Sequence, residues 1–241
     1  MIKYFAVLIL LTLLTVIYGK IIFVVANTKI FHVFVRRVMN YSCLSKIEIE
    51  NSLLGVVYYI YPLCTIVIMS LIFRYPIYEW LFIKFHDVFY IFIAIMAFIS
   101  VMSCVSGLPT IFSPKTDWVS VISNTSWIVS INTRKNSLKF IALVLGALCE
   151  ELFFRGLCFG LLYYLFPKNF IWISLGFSSL LFGIQQSLFA SQKHGKFIFM
   201  IASIALGLMA GCFMLYTNSI LPSLVAHEFF VIFYFTRFDF K

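Results

Sequence analysis

Three of the nine acidic side chains fall where an acid is least expected, inside long apolar runs: Glu150, Glu151 and Glu228. Arg155 is the one arginine inside such a run, and His227 the one histidine well inside one. A charge near the centre of a bilayer costs at least roughly 2.5–3.5 kcal/mol on insertion scales, so ionisable residues at such depth are functional candidates by default. Here they gather in two short segments, Cys149-Glu150-Glu151-Leu152-Phe153-Phe154-Arg155-Gly156 and His227-Glu228. A third segment, Phe182-Gly183-Ile184-Gln185-Gln186, sets two adjacent amides in another apolar run.

The spacing within these segments suggests divided roles. Glu151 and Arg155 are four apart, one above the other on a helix face, and can pair within the helix. Glu150 is turned about 100° from Glu151 and looks elsewhere. That leaves one carboxylate neutralised locally and one without a local partner, an arrangement suited to a general base. A structural ion pair with a spare acid facing a water pocket fits the same residues. Gln185 and Gln186 can donate and accept hydrogen bonds but cannot take a proton at neutral pH, and interhelical hydrogen bonding is their plainer role. His227 fits hydrogen bonding between helices as well as chemistry. Counted from the expected cytoplasmic ends at about 1.5 Å per residue, Glu150 and His227 fall near mid-membrane and Gln186 nearer that face, so the three can line one cavity open to it.

The elements that must position these groups are written in the composition. Of 241 residues, 63% are hydrophobic and 11% charged, with a mean hydropathy of +1.04. A soluble domain of this length cannot bury so much apolar surface, so the bilayer has to act as solvent. Apolar runs occupy residues 4–26, 52–73, 88–112, 138–166, 170–190, 197–216 and 219–235. In lipid each must be a helix, because backbone groups there need internal partners. The expected fold is therefore an all-α membrane helix bundle of about seven to eight spans, with N-terminal helices over 1–137 and a chemistry-bearing core over 138–235. Residues 118–131 are too short to span comfortably and carry Ser120, Ser123, Asn124, Thr125 and Ser126; an interfacial, a re-entrant and a short spanning segment all fit.

The net charge of +9 does not point to nucleic acid, since no contiguous basic face exists and the cations sit in short loops between apolar runs. With seven spans, the side of the C-terminus collects twelve of them (Lys29, Arg36, Arg37, Lys46, Lys115, Arg134, Lys135, Lys139, Lys193, Lys196, Arg237 and Lys241) against four on the other (Lys3, Arg74, Lys84 and Lys168). An extra span at 118–131 changes the split to ten against six, with the same sign. A cytoplasmic C-terminus is the expectation either way. Lys20 can snorkel to the nearer interface. Five of the six cysteines lie in apolar runs, with no disulfide framework and no metal-ligand spacing, so neither cofactor nor metal is expected. The first run lacks a small-residue cleavage site after it and reads as a retained helix rather than a signal peptide. Gly156 with Gly160, and Gly207 with Gly211 and Ser203, have the small-residue spacing that lets helix backbones approach closely in lipid.

Glu-Glu-x-x-x-Arg in one membrane helix, Phe with a polar residue four later in the next, and His in a final helix together resemble the CPBP family. That family comprises intramembrane glutamate-type proteases, including type II CAAX prenyl endopeptidases and bacterial Abi proteins linked to bacteriocin processing or self-immunity. The resemblance covers about residues 138–235. It implies that Glu150 activates a water for attack on a peptide carbonyl, that Glu151 and Arg155 form a supporting pair, and that His227 hydrogen-bonds the developing oxyanion. It also implies a multi-pass protein of a bacterial cell membrane acting on a peptide or membrane-protein substrate, whether a prenylated CAAX protein, a leader peptide or an unmodified membrane segment. Two positions depart: Gln186 stands where the family has histidine, and Val231 where its last motif ends in Asn or Asp. His194, two turns beyond Gln186, is not placed to substitute. Three functions stay open at this point. They are an endopeptidase, a non-catalytic family member that binds a peptide or membrane protein or confers bacteriocin self-immunity, and a small transporter using Glu150, Glu151, His227 and Glu228.

Overall fold

A computed structural model describes residues 2–82, 87–132, 134 and 136–237. Within them every regular element is helical and there is no strand. In chain order the α-helices are α1 (Ile2–Ala26), α2 (Lys29–Met39), α3 (Lys46–Phe73), α4 (Asp87–Phe112), α5 (Trp118–Ser123), α6 (Ser126–Asn132), α7 (Asn136–Glu151), α8 (Gly160–Leu165), α9 (Ile171–Ser187), α10 (Lys193–Thr217) and α11 (Leu221–Arg237). Between α7 and α8 the backbone continues as a π-helix, Leu152–Phe159. Four helices are long and apolar enough to cross a membrane by length and composition: Tyr4–Ala26, Lys46–Phe73, Val88–Pro109 and Lys193–Thr217. The remaining apolar runs are helical as well, with α11 offering the shorter apolar stretch Leu221–Ile232. Their outward faces are apolar: Ile9, Leu71 and Phe92 are 59%, 74% and 69% exposed. A hydrocarbon environment tolerates such faces, whereas water does not. The protein is an all-α integral membrane helix bundle.

The run at 138–166 is where simple helix geometry fails. Eight residues of π-helix begin immediately after the paired glutamates, and they form the centre of the molecule. Phe153, Phe154, Leu157, Cys158 and Phe159 are fully buried, and Arg155 is 1% exposed. A π-helix widens the turn and weakens the internal ladder, and such insertions are often found at functional sites. Neighbouring segments supply hydrogen bonds to its carbonyls. Ser178 Oγ of α9 donates to the Phe154 carbonyl at 2.9 Å, and Tyr75 Oη donates to that of Gly156 at 2.8 Å. Tyr75 is only 3% exposed, and burial pushes its phenol well above the ordinary tyrosine range, so it stays a donor.

Around this centre, α9 and α10 pack most closely. A Cβ on Gly207 would stand 2.9 Å from Ser179 Cβ and 3.0 Å from Ser179 Cα, and one on Gly183 would stand 2.9 Å from the Met200 carbonyl oxygen. Gly207 therefore does let helices approach, as its spacing predicts. Gly156 differs from that picture. Its nearest neighbours are the side chains of Ile77 and Ile220, each 3.2 Å from a would-be Cβ, rather than another helix backbone. Helix α1 packs on α3 and α9, burying Leu11, Thr15 and Tyr18 completely, so the first apolar run is part of the core.

Two segments read as loops or left open have definite structure. Residues 29–39 form α2, an amphipathic helix capped by Thr28. It packs Phe31 and Val35 against Ile49 of α3, while Ile30, Val33 and Phe34 stay exposed. Residues 118–132 form two short helices of six and seven residues, broken at Asn124-Thr125. At about 1.5 Å per residue neither reaches across a hydrocarbon core of about 30 Å. Instead Ile128 and Ile131 pack against Leu143 of α7, Phe199 of α10 and Val231 of α11.

Candidate active site

The five residues singled out for chemistry converge in one cluster, carried by α7, the π-helix, α9 and α11. Glu150 and Glu151 end α7, and their neighbouring positions send them to different partners, as the 100° step predicts. Glu151 faces α11: its Oε1 lies 2.8 Å from His227 Nδ1, and its Oε2 lies 3.3 Å from Arg155 Nε. Both charged partners are sealed off, Glu151 at 0% and Arg155 at 1% exposure. The Arg155 guanidinium stacks over the Phe182 ring at 4.5 Å, a cation–π contact that is strongest when desolvated. Phe182 also sets its ring 6.3 Å from that of His227, and Phe98 of α4 lies 6.1 Å from the same imidazole. Thus the phenylalanine that opens the α9 motif is a wedge between Arg155 and His227.

Glu150 faces α3 and α9, and it is not the partnerless acid that local spacing suggests. Its Oε1 accepts from Gln186 Nε2 at 2.7 Å and from Tyr58 Oη at 2.5 Å. Gln185 Nε2 donates to Tyr58 Oη at 2.9 Å, so both adjacent amides take part in one network. Glu150 is partly buried, while Gln186 and His227 are 8% and 6% exposed. Of the two carboxylates, then, one is locked in a fully buried ion pair and the other keeps some accessible surface.

Tyr58 was not among the candidates drawn from spacing, and Gln185 was read only as a hydrogen-bonding amide. The signal for Tyr58 was faint: a tyrosine cluster (Tyr58, Tyr59, Tyr61) and Pro62 in a long apolar helix. Proline has no N–H to give the carbonyl four residues earlier, which is that of Tyr58. Glu228, one residue past His227, is only partly buried, and its Oε2 has no hydrogen-bond partner among the described residues. Val231 packs in the apolar cluster around Ile128 and Leu143, one turn beyond the site. His194 lies against Trp118, with ring centroids 5.8 Å apart. Among the described residues, no three His, Cys, Asp or Glu side chains are placed to hold a metal ion.

Chemically the cluster offers a partly buried carboxylate with one oxygen held by two donors, beside a fully buried Glu–Arg pair that orients an imidazole. A family model for "Type II CAAX prenyl endopeptidase Rce1-like" matches residues 135–233, which span the whole cluster except Tyr58. No curated protein and no solved structure matches the chain.

Proposed function

We propose that the chain, whose residues 135–233 match the type II CAAX prenyl endopeptidase family model, is a CPBP-type membrane endopeptidase in which Glu150 activates the attacking water. The observation that carries this reading is the asymmetry of the two acids: Glu151 is fully buried and ion-paired, whereas Glu150 is only partly buried and hydrogen-bonded through one oxygen. In the reaction, Glu150 takes one proton from water as the oxygen bonds to the scissile carbonyl carbon. The carbonyl π electrons move to its oxygen. When that oxyanion collapses, the C–N bond breaks and the leaving amine takes the proton from Glu150.

His227 serves the oxyanion in this reading. Its Nδ1 faces an ionised carboxylate and so carries a hydrogen, which leaves the other ring nitrogen a donor only in the imidazolium form. The Glu151–Arg155 pair fixes the ring for that task. Residues 138–235 form the catalytic core and 1–137 the helices that complete its walls. The C-terminus is cytoplasmic, on the strength of the lysine and arginine distribution, and the cell membrane is bacterial by resemblance alone. The substrate is a peptide or membrane protein entering from that face; prenylated proteins and leader peptides both fit.

One observation favours a second reading. Gln186, which holds Glu150, cannot shuttle a proton, and the position of Val231 is filled by apolar packing. A non-catalytic member that binds a peptide or membrane protein, as in bacteriocin self-immunity, has no need of either function. The two readings separate in reconstituted vesicles, with wild type, Glu150→Gln and Gln186→His assayed against tagged leader peptides and a prenylated peptide. Cleavage by wild type and none by Glu150→Gln, at equal protein levels, is the outcome expected of the protease. Silence from wild type with cleavage by Gln186→His marks a disabled protease scaffold. Silence from both defeats the protease reading for these substrates and favours the binding protein.

A further inference from the structure

The network on Glu150 reaches outside the region that matches the family, into α3. Tyr58 is 92 residues from Glu150 in sequence, yet its hydroxyl lies 2.5 Å from Glu150 Oε1. A phenol carries one hydrogen and an ionised carboxylate has none to give, so the phenol donates to Glu150 Oε1. Gln185, wholly buried, must then turn its NH₂ toward Tyr58, because an amide oxygen there would face a hydroxyl whose only hydrogen is already given. The order of donation runs from Gln185 Nε2 to Tyr58 Oη to Glu150 Oε1. Gln186 Nε2 donates to the same oxygen at 2.7 Å. The phenol ring is held on both sides: it stacks on Tyr18 with centroids 4.8 Å apart and meets Phe189 edge-on at 5.9 Å.

We propose that Tyr58, oriented by Gln185, is a positioning residue that together with Gln186 saturates Oε1 of Glu150 and so makes Oε2 the oxygen that meets the water. This rests on the reading of Glu150 as the base. Where a single side chain four residues after Phe182 could have both held the acid and moved protons, this chain divides the holding between two adjacent amides and a phenol from another helix. A rotation of the Glu150 carboxylate would cost two donors at once, so the reactive oxygen keeps one direction. Gln185 touches Glu150 only through Tyr58, which makes its effect conditional on that residue.

That conditionality is the test. In vesicles containing a cleavable peptide, Tyr58→Phe is expected to lower kcat by about 10–100-fold with KM unchanged, the range for removing a group that orients a reactive one. Gln185→Leu is expected to lower kcat less, and to have no further effect in the Tyr58→Phe background. Losses that multiply, or a change confined to KM, would overturn the proposal. A second measurement needs no turnover: the thermal midpoint in detergent for Tyr58→Phe in the wild-type and Glu150→Ala backgrounds. A drop in the first background and none in the second supports the Tyr58–Glu150 link; equal drops refute it. A wild type that cleaves nothing while the thermal cycle is coupled sinks the base assignment and leaves the link standing. Cleavage with an uncoupled cycle does the reverse.

Discussion

Removal of the Arg155 guanidinium tests whether the buried pair is built as described. The ion pair is 3.3 Å long, with side chains 2% and 0% exposed. At an effective dielectric constant of about 20, attraction at that distance is about 5 kcal/mol. Arg155→Met deletes this and the contact with Phe182, and leaves Glu151 charged in the core with the neutral hydroxyl of Ser223 and the imidazole of His227 beside it. Breaking a buried pair from one side generally costs about 3–5 kcal/mol, and that is the expected loss of stability here. Removing both charges is different in kind, because no unpaired ion remains. Glu151→Leu with Arg155→Met strands the imidazole Nδ1, at about 1–3 kcal/mol for an unmet buried donor, but spares the larger penalty. The double variant is therefore expected to be more stable than Arg155→Met alone by at least about 1 kcal/mol. Denaturant titration in detergent micelles, followed by tryptophan fluorescence, reads both. A loss below about 1 kcal/mol for Arg155→Met, or a double variant as costly as the two single changes added together, would refute the assignment of a charged, desolvated pair.

Two further outcomes follow from the packing. Gly207→Leu drives a side chain into the Ser179 backbone, and is expected to cost about 1–3 kcal/mol and to reduce cleavage, because α9 carries both amides of the site. Gly176→Ala, with nothing within 4 Å of the new Cβ, is the matched control and should be neutral or stabilising by up to about 1 kcal/mol in the same titration. Tyr75→Phe removes the donor to the Gly156 carbonyl and is expected to cost about 1–3 kcal/mol, with faster amide exchange across residues 152–160. Because burial raises the Tyr75 phenol, the folded chain keeps its proton above pH ~10 while the unfolded chain loses it, so Tyr75 makes stability fall as pH rises there. Alkaline titration should therefore be shallower for Tyr75→Phe than for wild type.

Much of this could be read in order along the chain. Hydropathy marks the long apolar helices of the bundle, since an apolar run in lipid has no alternative to satisfying its own backbone. The sequence also pointed to four of the side chains that meet at the site, Glu150, Glu151, Arg155 and His227, because an ionisable group placed in hydrocarbon is too costly to be incidental, and the family resemblance added Gln186. The Glu151–Arg155 pair was legible for the same reason, being a contact within one turn of one helix. Amphipathic α2 escaped notice because 11 residues between two spans read as part of a basic loop.

What only the tertiary structure decided is which acid is sealed, which is reachable, and what holds it. Local spacing left Glu150 without a partner, yet Tyr58 and Gln186 meet it from α3 and α9. Those contacts depend on the rotation and depth of three helices, set by Gly183 and Gly207 between α9 and α10 and by the aromatic stack around Tyr18. The π-helix at Leu152–Phe159 was equally hidden, because its carbonyls depend on hydroxyls from Tyr75 and Ser178, outside the segment that forms it. Sequence spacing reports neighbours within a helix, while a site between helices is made by packing.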